Sequence, residues 1–242
     1  MRHRGLSPSH LIHPREHSTT MDRKIVLSVL GAAILSFVAI LLLMPATLDD
    51  ITERLPWRIA QDEAGRTRVF GFTLGQTTLA EVRAVFREEG ELNLFQTPDD
   101  PPRHAAEAFF EQIVLQRLRA DFVIALEVDQ PTLIGMYDRG LRISQLGSGS
   151  KKIKLNPDDA TALASRPIQS ISYLPKARLD ADLLEQRFGP PSRELTEPET
   201  GIVHWLYPAR GLDIARAPNG KVVVQYVNPR DCDRLLEPLK EL

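Results

Sequence analysis

The stretch "LYPARGLDIA", residues 206–215, is similar to "MYDRGLRIS", residues 136–144. Each has a tyrosine, then Arg-Gly-Leu, then one further residue and an isoleucine. The similarity continues along the chain, because each stretch is followed by a turn, a lysine-bearing run and an Asn-Pro-x-Asp sequence, at 156–159 and at 228–231. Two ordered motifs at nearly the same spacing indicate that one structural unit is present twice.

A duplicated unit makes a definite structural prediction. The backbone of residues 131–165 should superpose on that of residues 201–237, with Tyr137 over Tyr207. The offset between the copies drifts slightly along the motif, as insertions in surface turns would produce.

The second copy has the pattern of an antiparallel β-meander. Turns are expected at "PARG" and "APNG", where glycine permits a positive φ. Three runs rich in β-branched and aromatic side chains are predicted as its strands: 202–208, 211–217 and 221–227. In the first copy, four runs are predicted as strands: 121–128, 132–138, 140–146 and 151–155.

A strand and a helix are predicted ahead of each meander. Residues 68–86 begin with alternating apolar side chains and continue as a helix that Thr77 or Thr78 caps. Residues 168–191 repeat this order, and their helix should stop at Gly189.

Residues 101–118 form an extra segment in the first copy, and their apolar side chains have helical spacing, which predicts an amphipathic helix. The predicted fold class is therefore α+β, with two tandem units of strand, helix and antiparallel meander at 68–165 and 166–242.

Two stretches carry a family resemblance. "LGQTTLAEV", residues 74–82, and "RFGPP", residues 187–191, resemble the small α+β repeats of SmpA/OmlA-type outer-membrane assembly lipoproteins and of the β-lactamase-inhibitor-protein type. The resemblance implies modules that bind other proteins and catalyse nothing. The chain departs from the first group because it lacks a lipidated cysteine. Residues 55–75 are also similar to a stretch found in proteobacterial membrane proteins of unknown function.

Residues 25–44 contain no charged side chain. A helix of this length spans about 30 Å, which is the thickness of a bilayer core. Arg23 and Lys24 precede it, which predicts a cytoplasmic leader at 1–24 and a C-terminal domain outside the cytoplasm. Residues 45–67 would then be a linker. The predicted location is the inner membrane of a bacterium, with the domain in the periplasm.

The start of the chain leaves two questions open. The apolar run could instead be a signal peptide, although it is longer than the usual apolar region and has only weak cleavage sites after it. Translation could begin at Met1 or at Met21.

Small side chains form a stripe along the predicted membrane helix, at Ser28, Ala32 and Ser36. Residues four apart share a helix face, and small residues let two helices approach closely in lipid. The expected partners are membrane lipid, through this helix, and a partner protein. The stripe could also join two copies of the chain, or its residues could be ordinary lipid-facing residues.

Composition excludes several classes of function. A formal net charge of -2 does not favour nucleic-acid binding. The single cysteine, Cys232, excludes an internal disulfide framework and a multi-cysteine zinc site. No common nucleotide-binding, hydrolase or metalloprotease motif is present, so neither cofactor nor metal is expected. The acidic stretches 98–102 and 156–159 lack the alternating oxygen ligands of a calcium loop, which favours turns and helix caps.

The duplicated motif supplies the candidate binding residues. Arg139 and Arg210 are a matched pair of cations, and Tyr137 and Tyr207 are the matched aromatics. They could contact an anion or a partner protein. The alternative is that they are turn residues, with Gly140 and Gly211 setting the conformation of the turns.

Two classes of function remain. The first is a non-catalytic protein-interaction or envelope-assembly module held at the inner membrane. The second is a periplasmic enzyme, for example a hydrolase, with an unrecognised site. A deep pocket with converging titratable groups would favour the enzyme, and a sheet face or an exposed apolar groove would favour the binding module.

Overall fold

The computed structural model describes residues 54–233. Their fold is mixed α+β, with four helices, two antiparallel sheets and a predominance of strand. The smaller sheet has three short strands in the order β1-β2-β3. They are β1 (Ala60–Gln61), β2 (Thr67–Val69) and β3 (Phe72–Thr73).

The larger sheet has ten antiparallel strands in the order β10-β11-β12-β13-β9-β6-β5-β4-β8-β7. The strands are β4 (Glu91–Gln96), β5 (His104–Leu115), β6 (Leu118–Leu126), β7 (Arg142–Gln145), β8 (Lys151–Lys154), β9 (Ile168–Pro175), β10 (Arg193–Thr196), β11 (Val203–Tyr207), β12 (Leu212–Arg216) and β13 (Val222–Tyr226). The sheet crosses the predicted unit boundary, because β6 of the first unit pairs with β9 of the second.

Each of the four helices begins at a polar residue that caps its first turn. The helices are α1 (Leu79–Phe86), α2 (Gln130–Asp138), α3 (Pro157–Ala164) and α4 (Ala181–Phe188). The caps are Thr78, Asp129, Asn156 and Asp180, and each side chain accepts a hydrogen bond from the backbone N–H three residues on. The predictions of α1 and α4 are confirmed.

The core lies between one face of the large sheet and the helices. Phe122 of β6 lies at its centre, with its ring centroid 5.2 Å from that of Phe70 and 4.9 Å from that of Phe86 in α1. Leu184 and Phe188 of α4 are buried in the same cluster. The four helices bury their apolar sides there, so within residues 54–233 the opposite face of the sheet carries no helix.

The predicted helix at 101–118 is wrong, because these residues form β5, the turn after it and the start of β6. Ala106, Ala108 and Phe110 are buried with the period of two that a strand requires. A β-bulge between Phe110 and Ile113 then shifts the phase of the strand. Because of the bulge, the core side chains of Phe110 and Ile113 are three residues apart in the sequence. This spacing is also typical of an amphipathic helix.

The predicted strand at 132–138 is also wrong, because these residues belong to α2. Asp129 caps the helix, and Pro131 stands in its first turn, where proline costs no hydrogen bond. Leu133 and Met136 are buried on one side, three residues apart. Hence the predicted superposition fails at its start, since Tyr137 lies in a helix and Tyr207 in β11.

After the Arg-Gly-Leu motif the two copies do follow the same order. The hairpin of β7 and β8 leads into α3 at Asn156-Pro157, and the hairpin of β12 and β13 leads into a 3-10 turn, Pro229–Asp231, at Asn228. Asn156 and Asn228 are extended N-cap residues followed by proline. The similarity found in the sequence therefore corresponds to a repeated hairpin and cap.

The predicted membrane span at 25–44, with Ser28, Ala32 and Ser36, lies outside the described residues. Within residues 54–233, no helix is long and apolar enough to cross a bilayer. The last part of the segment predicted as a linker contains a strand, because Ala60 and Gln61 form β1 and pair with β2.

Candidate functional site

The four predicted binding residues do not converge on one site. The Arg139 guanidinium donates to both carboxylate oxygens of Asp159, at 2.8 and 2.7 Å, and these bonds raise the pKa of Arg139. Asn156 donates to the same carboxylate at 2.7 Å. Arg139 thereby ties the end of α2 to the start of α3.

Arg210 and Tyr207 hold the end of α4. Arg210 Nη1 donates to the carbonyl oxygen of Phe188 at 2.6 Å, and Tyr207 Oη donates to that of Gly189 at 2.8 Å. The guanidinium also lies 5.6 Å from the centre of the Tyr207 ring. Carbonyls at a helix end lack partners within the helix, so these bonds satisfy them.

Tyr137 lies elsewhere, in contact with His104 at the start of β5. The two ring centroids are 5.2 Å apart, and Lys151 Nζ is 3.5 Å from Tyr137 Oη. Burial lowers the pKa of His104, so its ring is neutral near neutral pH.

The surroundings of the other residues considered for a chemical role indicate that these residues stabilise the fold. Cys232 is buried, and burial raises the pKa of its thiol, which makes it a poor nucleophile. In the acidic stretch 98–102, Asp99 pairs with Arg103 at 3.2 Å. Among residues 54–233, no group of three potential ligands is arranged to hold a metal ion.

The helix-free face of the large sheet carries a shallow groove across β4, β5 and β6. Phe109 of β5 lies directly between Val123 of β6 and Glu91 of β4, and it is 37% exposed. The groove has a volume of about 300 Å³, and its apolar lining is Phe95, Phe109, Val123 and Leu146.

Glu107 lies in the groove, and its carboxylate is half-buried. Burial raises its pKa, and within residues 54–233 no cation bonds to it. Lys152 also lines the groove, but its Nζ bonds to Glu91 at 2.7 Å instead. We call this surface the Glu107 groove: a carboxylate without a counter-ion among partly exposed apolar side chains.

Sequence reasoning missed Glu107 and Phe109, because residues 101–118 were predicted as a helix. The alternation of Ala106, Ala108 and Phe110 with the residues between them is the signal that could have found the groove.

A buried histidine lies on the same sheet face near its other end. His204 Nδ1 is 2.9 Å from Asp213 Oδ2, and Nε2 is 3.0 Å from Glu197 Oε1. A ring between two carboxylates donates from both nitrogens only as the imidazolium. The bond to Asp213 contributes most to raising the pKa of His204. His204 is therefore buried, and neither ring nitrogen is free to act as a base.

His204, Asp213 and Glu197, which we call the His204 cluster, should make the free energy of unfolding depend on pH. The folded pKa of His204 is raised above 6.5, so its contribution is fully present below pH 6.5 and is lost as pH rises through the folded value. At acidic pH the relevant group is Glu197, whose pKa is lowered from 4.5 chiefly by the hydrogen bond from Thr200 and then by that from His204. The contribution of Glu197 to stability is therefore lost as pH falls through its folded pKa.

We expect His204→Gln to lower the free energy of unfolding at pH 6 by about 1–3 kcal/mol, as expected for hydrogen bonds between charged groups. The variant should also lose the decline in stability above neutral pH, measured by denaturant unfolding of the full chain. His104→Gln is the control and should keep that decline. A wild-type protein that becomes more stable between neutral and alkaline pH would contradict the assignment.

Comparison with known proteins finds no matching family model and no matching curated protein. Among solved structures, the chain is similar to a DUF4309 family protein, YjgB, from Bacillus subtilis. The match has 13% sequence identity and a TM-score of 0.34, and it covers 68% of this chain and 88% of that one.

Proposed function

We propose that this protein is a non-catalytic interaction module, held at the inner membrane by residues 25–44, with its folded domain in the periplasm. The Glu107 groove is the surface that binds a partner protein. The observation that carries this proposal is a half-buried carboxylate without a cation, set among partly exposed apolar side chains.

The groove defines the chemistry of its partner. A carboxylate that is partly removed from water is stabilised when a Lys or Arg pairs with it. Phe109 and Phe95 beside it offer aromatic area of the kind that dominates binding energy at protein interfaces. The partner segment should therefore present a basic side chain next to an apolar one.

Two further observations favour a binding module over a hydrolase. Both ring nitrogens of His204 are occupied by carboxylates, and the thiol of Cys232 is buried. The resemblance of residues 74–82 and 187–191 to SmpA/OmlA-type and β-lactamase-inhibitor-type repeats, which bind proteins, points the same way. The repeated hairpin and cap support a tandem origin for the two halves.

Site-directed crosslinking tests both the location and the groove. In a Cys232→Ala background, Leu146→Cys places a single thiol in the groove and keeps Phe109, and Ile134→Cys places one on α2, where the native side chain is 45% exposed. Cells with a permeable outer membrane are treated with a membrane-impermeant maleimide that carries a photoreactive group. We expect both thiols to be labelled, and only the thiol at position 146 to give a crosslinked protein adduct.

Glu107→Arg in the Leu146→Cys protein should lower the adduct yield by about tenfold, because it opposes the partner's cation. Absence of label at both positions would refute the periplasmic location. Label at both positions without an adduct at 146, or an adduct that Glu107→Arg does not change, would refute docking in the groove.

A further inference from the structure

A second pocket lies on the helix side of the large sheet. The turn between β5 and β6, the connection from β9 to α4, and the segment at Pro56 and Trp57 surround it. Its volume is about 460 Å³, which is within the range of pockets that bind small ligands, about 300–1,000 Å³. Its apolar walls include Trp57, Leu118, Tyr173, Leu183 and Phe188.

Four arginines also line this pocket: Arg117, Arg119, Arg178 and Arg187. Among residues 54–233, no carboxylate forms an ion pair with any of them. The guanidinium of Arg187 instead lies 4.7 Å from the centre of the Trp57 ring. Like charges around one opening repel each other, and an anion bound there would relieve that repulsion.

The β5–β6 turn is shaped to present Arg117. Gln116 and Arg117 are its two central residues, with φ of 49° and 65°. Two positive φ values are typical of the tightest hairpin turn, and they are costly for residues other than Gly, Asn and Asp. A guanidinium is thus held at the pocket rim at a position where glycine or asparagine would fold more easily.

Tyr173 provides a polar group inside the pocket. Its ring packs against Phe70 and Phe122, and its hydroxyl makes no hydrogen bond to any residue of the described part of the chain. The neighbouring tyrosine differs, since Tyr226 Oη donates to the carbonyl oxygen of Pro56 at 2.9 Å. The Tyr173 hydroxyl is therefore available to donate to a ligand.

We infer that this pocket binds a single-chain amphiphile with an anionic head, such as a fatty-acid carboxylate or an alkyl phosphate. The chain occupies the apolar walls, and the head lies among the arginines, whose planar guanidinium groups match carboxylate and phosphate oxygens. An inorganic anion alone would leave the apolar walls in contact with water. This site is separate from the Glu107 groove, because it lies on the opposite side of the sheet and binds the opposite charge.

Quenching of Trp57 fluorescence tests the inference. The protein has two tryptophans, so Trp205→Phe leaves Trp57 as the reporter in the pocket wall. The full chain in phosphatidylcholine nanodiscs is titrated with ω-bromodecanoate, whose bromine quenches tryptophan on contact. We expect saturable quenching, and affinity about fourfold weaker for each methylene removed from the chain. The uncharged ω-bromodecanol should bind at least about tenfold more weakly.

Two sets of variants distinguish binding in the pocket from partition into the bilayer. Arg117→Gln with Arg178→Gln should weaken binding of the acid by about tenfold, and Ala177→Phe should block it by filling the pocket. The matched control removes two exposed arginines from the edge strands, Arg142→Gln with Arg193→Gln, and should bind as the parent does. Decyl phosphate is the competitor that shows whether phosphate or carboxylate is preferred.

Three results would overturn the inference. Equal quenching by the acid and the alcohol would mean that both simply partition into the lipid. Quenching that neither Arg117→Gln with Arg178→Gln nor Ala177→Phe changes would place the amphiphile elsewhere. Stronger competition by a short acidic and apolar peptide than by decanoate would assign the pocket to a protein segment.

Discussion

Replacing Phe122 by alanine should lower the free energy of unfolding by about 3–5 kcal/mol, the usual cost of truncating a buried phenylalanine. The side chain is 1% exposed, and its ring lies within 5.4 Å of the ring centres of Phe70, Phe86 and Tyr173. These rings come from separate elements, so the cavity would weaken the contact between the sheet and the helix layer. Denaturant unfolding of the full chain, followed by tryptophan fluorescence, measures the loss.

Phe109→Ala is the matched control, because it removes the same side chain from the other face of the sheet in the adjacent strand. Phe109 is 37% exposed, so its truncation should cost less, about 1–2 kcal/mol, while weakening partner binding at the Glu107 groove. If Phe122→Ala were no more destabilising than Phe109→Ala, the core would not lie on the helix side of the sheet.

Gly211→Ala should be destabilising by about 2–5 kcal/mol. Gly211 has a φ of 61°, and a left-handed conformation costs alanine about 1–2 kcal/mol. An added Cβ would also lie 2.0 Å from the carbonyl oxygen of Val227. The Val227 N–H donates to the Gly211 carbonyl at 2.8 Å, so the two backbones cannot separate without losing that bond. Relief of such a clash adds about 1–3 kcal/mol.

Gly140→Ala is the control within the duplicated motif. The φ of Gly140 is not positive, and its added Cβ would meet a methyl group of Ile153 at 2.4 Å, a side chain and not backbone. We expect a smaller loss than at Gly211, about 1–3 kcal/mol, measured in the same unfolding experiment. Equal or larger destabilisation at Gly140 would show that the backbone approach at Gly211 does not matter.

The amino-acid sequence by itself determined the elements whose signals are local. The helix α1 was predicted because Thr78 and Glu81 form a capping box ahead of an apolar face, and the structure has both bonds of that box. The strands β11, β12 and β13 were predicted from β-branched residues between glycine turns. In these segments, neighbours in the chain are enough to favour one conformation.

Only the tertiary structure decided between helix and strand in the segments whose apolar pattern fits both the helical and the strand period. The bulge after Phe110 gives β5 a spacing that also fits a helix, and in α2 the exposed Ile134 next to the buried Leu133 obscures the helical period of its apolar residues. Pairing with β4 and β6 selects the strand at β5, since it satisfies the backbone on both edges. The groove exists only because three paired strands bring Glu107, Phe95 and Val123 into one lining on the same face of the sheet. These residues are far apart in the sequence, and long-range strand pairing brings them close together. The sequence alone therefore does not reveal the groove.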